Sequence, residues 1–336
     1  REFMPQLNEG SLLYMPTTLP GISVAEAQKL LQTQDAILKN FPEVETVFGK
    51  AGRIESSTDP APFSMMETTV VLKPQEEWSR KISYEELIEE MDQALKIPGT
   101  SNAWTMPVKN RIDMLTTGVR TPVGIKVLGA DLKEIERIGV EIERALKNID
   151  GTRSIFAERV SGGYFLDFDL RRDQLARYGL SVADAQMTVM SAIGGENITT
   201  TVEGRERYPV SVRYARDFRD DIESMKRVLV STPSGAQIPL AQIADVVIRS
   251  GPAMIRNENG LMAGYVYVDV AGRDIGSYVK EAKDIVKSVN LPSGYGIVFS
   301  GQYENMQRVA AKMKVVIPIV LLGIVLLLYF NTRSWV

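Results

Sequence analysis

Two short segments place a methionine beside a carboxylate. In Met65-Met66-Glu67-Thr68-Thr69-Val70-Val71-Leu72 the pattern is that of a strand, whose side chains alternate faces, so the adjacent methionines point in opposite directions. Met66, Thr68, Val70 and Leu72 form the more apolar set, suited to packing under helices, which leaves Met65 on the face of Glu67 as the better ligand candidate. The second segment, Asn110-Arg111-Ile112-Asp113-Met114-Leu115-Thr116-Thr117-Gly118, is polar and sets Asp113 beside Met114. A thioether is a soft, neutral donor that selects Cu(I) and similar ions, whereas Asp and Glu suit harder ones. The competing reading is core filler, the ordinary role of methionine. Most of the 14 methionines fit it: Met91 lies in a helical stripe, Met187, Met190 and Met225 sit at helical positions, and Met313 abuts an apolar run.

The composition narrows the chemistry further. Among 336 residues there is no His and no Cys, which removes Ser-His and Cys-His triads, standard zinc sites and redox disulfides. With 39 basic against 42 acidic side chains the net charge is -3, without the basic footprint that nucleic acid requires. Gly194-Gly195 lacks phosphate-binding spacing around it. Apolar residues make up 44% of the chain, enough for the cores of roughly two domains.

The elements that must hold these segments are marked by their caps. Ser23/Glu26, Ser83/Glu86, Asp131/Glu134 and Ser181/Asp184 each place an acid three residues after a capping side chain, and helical apolar periodicity follows. A fifth helix is expected around Tyr278 to Val289. Between them, alternating or β-branched runs predict strands at Leu12–Thr18, Val44–Lys50, Glu67–Lys73, Val123–Leu128, Arg153–Glu158, Tyr164–Leu170, Gly264–Val270 and Gly296–Ser300, so the class is mixed α and β. Shifting the chain by 108 residues sets Leu38-Lys39-Asn40 and Phe48 over Leu146-Lys147-Asn148 and Phe156, a repeat that implies duplicated subdomains. From about Glu196 to Arg249 the pattern changes to hairpins, with a Pro233-Ser234-Gly235 turn and a short helix near Asp217 to Val228, read as an insertion into the second copy. The Met114 segment closes the first copy just before the second begins near Pro122, and a junction of subdomains is a usual place for a cleft.

The ends differ from the middle. Val315 to Phe330 is sixteen apolar residues flanked by Lys312, Lys314, Arg333 and Trp335, which fits a membrane-spanning helix better than a soluble one with a polar face. Arg1-Glu2-Phe3-Met4-Pro5 shows neither an initiator Met nor a signal-peptide pattern, and the expectation is an internal piece of a larger membrane protein.

Ordered segments along essentially the whole chain, from EFMPQLNEGSLLYMPTTLPGIS through PEVETVFGKAGR, METTVVLKPQEEW, VKNRIDMLTTGVRTPVGIKVLG, AERVSGGYFLDFDLRRDQLARYGLSVADAQ and TVEGRERYPVSVRYAR to SGQY, resemble the heavy-metal efflux branch of the resistance-nodulation-division transporters. The resemblance implies an α+β architecture. Two βαβ-type porter subdomains would be PC1 at 6–119 and PC2 at 120–194 plus 260–301, with a hairpin-rich docking subdomain DC at 195–259 and the start of a transmembrane helix at 302–336. It also implies a metal site of three methionines in the cleft between PC1 and PC2. Met65 falls on the first and Met114 on the second, while the third position, after Ala176-Arg177-Tyr178-Gly179, is Leu180. Glu67, Asp113 and Arg177 stand in the same motifs and could tune the charge. The implied function is capture of Cu(I) or Ag(I) as transported cargo, with no permanent cofactor and no bond made or broken. Protons crossing the bacterial inner membrane would supply the energy, and this segment would sit mostly in the periplasm. Implied partners are two further copies in a homotrimer, a periplasmic membrane-fusion adaptor and an outer-membrane channel. Two alternatives stay open: a Zn(II), Co(II) or Ni(II) pump using Glu67 and Asp113, and a docking module retained only for assembly.

Overall fold

The computed structural model describes residues 8–52 and 61–333, so the opening Arg1–Pro5 segment and the flanking Trp335 lie outside the described residues. The four helix starts form as their caps require. Ser23 accepts from the Glu26 amide to begin helix Val24–Lys39, and Asp131 accepts from the Glu134 amide to begin Leu132–Leu146. Ser83 and Ser181 close full capping boxes with Glu86 and Asp184, opening Tyr84–Ala94 and Val182–Thr188. Each such cap satisfies amides that the helix itself cannot, worth about 1 kcal/mol.

Two sheets repeat one topology. The first runs Val44–Ala51, Met66–Leu72, Ser11–Tyr14, Trp104–Thr105 in spatial order, every neighbour antiparallel. Numbered along the chain this is the order 2-3-1-4, with helices Val24–Lys39 and Tyr84–Ala94 in the two crossovers. In the second sheet Thr152–Ala157, Leu261–Val270, Val123–Gly129 and Gly296–Gly301 take the same order, with helices Leu132–Leu146 and Ile275–Val286. Each is a split β-α-β arrangement of the ferredoxin type, and the shared order is the structural form of the sequence repeat. Tyr14, Leu38, Val70, Leu87 and Met91 fill one core; Ile125, Val127, Ile138, Ile142, Val268 and Tyr278 fill the other. The strand Met66–Leu72 partitions as its alternation predicts, with Met66, Thr68, Val70 and Leu72 all buried and Glu67, Thr69 and Val71 half-buried.

Polar contacts join the two copies. Asp269, 1% exposed, accepts from both Arg153 Nε at 2.9 Å and Arg153 Nη2 at 2.8 Å, and from the Trp104 amide at 3.3 Å. Ser154 donates to the Asn102 carbonyl, and the Arg120 guanidinium donates to the Thr17 hydroxyl. The segment Asn110–Gly118, read from the sequence as a polar stretch closing the first copy, is part of a helix, Pro107–Thr117, which begins on a proline and ends at Gly118 with φ +74°. Its buried residues are Asn110, Asp113 and Thr117, while Val108, Ile112 and Leu115 are exposed, an inversion of the usual amphipathic pattern. The helix Gln302–Thr332 is long and apolar enough to cross a membrane, and none of its most apolar stretch is buried within the fold.

Residues Tyr164–Gly251 form a separate compact unit. Strands Glu196–Glu203 and Glu206–Val212 pair as an exposed antiparallel hairpin, and Leu229–Ser231 pairs with Gln237–Pro239 around the Pro233-Ser234-Gly235 turn, where Gly235 takes φ +86°. The helix expected near Asp217 to Val228 is shorter, Ile222–Lys226, preceded by a 3-10 turn at Arg216–Phe218. This unit starts some way before the insertion boundary read at residue 195. The reason is packing: helices Arg172–Arg177 and Val182–Thr188 send Leu175 and Ala185 into one core with Val228, Val230, Ile238 and Leu240, and Leu180 joins them from the connection.

Candidate functional site

Met65 stands at the entry to strand Met66–Leu72, where an isolated bridge pairs it with Thr17 and its amide donates to the Pro62 carbonyl at 2.9 Å. It is half-buried, and it lines a cavity of about 60 Å³ with Thr17, Thr18, Arg120, Phe156, Glu158, Met254 and Arg256. A second thioether therefore shares the cavity with Met65, and it is Met254 rather than Met114. Nothing in the sequence pointed to Met254, since it reaches this wall only because the chain returns from the second unit at Pro252.

The cavity is rich in cations. Arg256 Nη2 donates to Glu158 Oε1 at 2.9 Å, and Glu158 also accepts from the Tyr267 hydroxyl at 2.8 Å and the Tyr265 amide at 3.1 Å. Arg159, another lining residue, is held by Glu143 at 2.9 Å. Arg120 is 5% exposed, lies 4.4 Å from the Tyr267 ring centroid, and has burial pulling its pKa down. Burial likewise pushes the Tyr267 hydroxyl up.

Met114 is 40% exposed on helix Pro107–Thr117, its sulfur accepting from Asn110 Nδ2 at 3.3 Å. It is not among the residues lining the Met65 cavity. Asp113, one position back, turns inward to 4% exposure and accepts from Lys109 Nζ and Gln302 Nε2, both at 3.3 Å. The two neighbours thus separate by the roughly 100° that one helical step imposes, and they do not form one ligand pair. Glu67 is engaged by Lys50 at 3.1 Å. Arg177 and Leu180 belong to the Tyr164–Gly251 unit, the first exposed at a helix end and the second buried in its core. Of the methionines expected as filler, Met91 is fully buried, whereas Met187 and Met190 are exposed, at 61% and 55%. Among the described residues no three carboxylates gather closely enough to hold a metal ion. A larger cavity of about 570 Å³ opens between the copies, lined by Pro98–Ser101, Arg153–Phe156, Glu143 and Lys147, and carries no thioether.

Two split β-α-β copies, a unit inserted in the second and a helix long and apolar enough to cross a membrane define a chain built on an internal repeat. The chain belongs to the AcrB/AcrD/AcrF family, whose model matches residues 1–336. Among its relatives, the cation efflux system protein CusA of Escherichia coli (strain K12) is 44% identical over 333 residues, covering 99% of this chain and 32% of that protein. The cobalt-zinc-cadmium resistance protein CzcA of Cupriavidus metallidurans is 32% identical over 337 residues, covering 98% of this chain and 32% of that protein. A crystal structure of a heavy metal efflux pump superposes with a TM-score of 0.90 at 30% identity, over 98% of this chain and 35% of that one. The chain spans about a third of the length of the curated relatives it matches.

Proposed function

We propose that this chain is the porter and docking portion of a proton-driven heavy-metal efflux pump that takes up Cu(I) or Ag(I) as cargo through thioether donors. The observation that carries this reading is the sorting of methionines. Met15, Met66 and Met91 are buried in the cores, while Met65 and Met114, like Met187 and Met190 of the second unit, remain reachable, and Met254 shares the Met65 cavity, in a chain that has neither imidazole nor thiolate. A soft monovalent ion needs few, polarisable, neutral donors, and divalent Zn(II), Co(II) or Ni(II) favours imidazole or grouped carboxylates. The lower identity to the cobalt-zinc-cadmium resistance protein, 32% against 44% to CusA, weighs against the divalent alternative. In this reading the helix Gln302–Thr332 enters the bacterial inner membrane, the rest of the chain sits in the periplasm, and the working assembly is a homotrimer joined to an adaptor and an outer-membrane channel.

Calorimetric titration of the chain in detergent with Ag(I) tests it, beside Met65→Ile and Met114→Ile. Loss of a thioether ligand is expected to weaken Ag(I) by about tenfold or more, equivalent to about 1.4 kcal/mol. Unchanged affinity in both variants removes the assignment. Zinc that displaces silver at equal concentration would favour the divalent alternative.

A further inference from the structure

The Met65 cavity contains a buried cation that its surroundings leave short of partners. Arg120 donates through Nη2 to the Thr17 hydroxyl, but Nε and Nη1 are buried without a hydrogen-bond partner among the described residues. The acid on the cavity wall is committed elsewhere: Glu158 already takes Arg256, Tyr267 and the Tyr265 amide. Glu143 holds Arg159, and Glu158 and Glu67 act on Arg120 only through space, so among the described residues no carboxylate is a hydrogen-bond or ion-pair partner of its guanidinium. A guanidinium stays protonated at any physiological pH, and a buried one with donors left unpaired is costly. The Tyr267 face, 4.4 Å away, offsets only part of that cost.

We infer that this cavity binds a halide-sized monovalent anion on Arg120. Its volume, about 60 Å³, is enough for one such ion or a few waters. Water would fill the orphaned donor positions but leave the charge; a halide does both. The Thr17 hydroxyl, which accepts from Arg120, keeps its own hydrogen to donate into the same space. Arg256, another lining residue, adds positive potential although it is paired with Glu158. The anion site stands without any metal at Met65, so silver binding and halide binding fail separately.

Bromide is the probe, because it is recognised by anomalous scattering and replaces chloride. The full chain in detergent, moved from gluconate to about 100 mM bromide at constant ionic strength, is expected to gain about 2 °C in thermal midpoint with saturation. Crystals soaked in bromide are expected to show an anomalous peak within about 4 Å of the Arg120 guanidinium, a charge-assisted contact distance. Arg120→Met is expected to abolish the bromide response, and Arg120→Lys, which keeps the charge but not the fork, to shift its midpoint to higher bromide. A peak elsewhere only, density for water alone at Arg120, or an equal bromide response in Arg120→Met overturns the assignment. Should Arg120→Met fail to fold, the wild-type anomalous map and the lysine variant decide it.

Discussion

Gln302 Nε2 donates to Asp113 Oδ2 at 3.3 Å across 189 positions of sequence, tying the helix that carries Met114 to the first residue of the helix long enough to cross a membrane. Asp113 also accepts from Lys109 one turn earlier, so one buried carboxylate answers two donors.

Removing that carboxylate leaves both donors unanswered. Asp113→Ala is expected to cost about 1–3 kcal/mol, read as a lower thermal midpoint, because the buried Gln302 amide and the half-buried Lys109 ammonium lose their acceptor. Met114→Ala, one residue on and exposed, is expected to stay within about 0.5 kcal/mol. Equal melting of the two variants would show that the tether holds nothing.

Met65 and Met66 separate a ligand candidate from a core residue at adjacent positions. Met66 is 0% exposed, so Met66→Ala is expected to cost about 2–5 kcal/mol through lost transfer energy and the cavity left behind. Met65→Ala should cost clearly less stability. Denaturant melts of both variants provide the comparison, and a larger loss at Met65 would contradict the face assignment.

Glu43, buried just before strand Val44–Ala51, accepts two hydrogen bonds from Arg80, at 2.8 and 3.1 Å, and these hold its carboxyl below its ordinary value of 4.5. A folded carboxyl that titrates low means that the unfolded chain binds more protons in acid, so stability rises with pH across that window. The contribution is complete above the ordinary value and fades as pH falls through the folded one. Melts from about pH 6 down to about pH 3 are expected to show the gap between wild type and Arg80→Ala narrowing. A constant gap would place the role of Arg80 in packing alone.

Leu180 stands where the resemblance calls for a methionine, and its side chain is 7% exposed in a core with Leu175, Ala185 and Ile243. Leu180→Ala is expected to cost about 2–5 kcal/mol. Leu180→Met, similar in volume and more flexible, is expected to cost less than about 1.5 kcal/mol. Hydrogen exchange across residues 164–251 would register the first and barely register the second.

The sequence by itself determined what depends on near neighbours. A cap and its acid three residues on, as at Ser83 and Glu86, is a local hydrogen-bond exchange, and alternation along Met66–Leu72 is a property of one extended strand. The long apolar run was visible for the same reason, and the repeat because both copies carry the same local pattern. Helix Pro107–Thr117 was not legible, because it buries Asn110, Asp113 and Thr117 and exposes Val108, Ile112 and Leu115, so no apolar stripe announces it; Pro107 and Gly118 were the available signals. The surroundings of Met65 depended on tertiary structure alone. Thr17, Arg120, Glu158, Met254 and Arg256 come from strands and loops scattered over most of the chain, and only the packing of the two copies brings them to one cavity. A sequence names donor types, but which charges are left unpaired is decided by distances between segments, and those are fixed by packing.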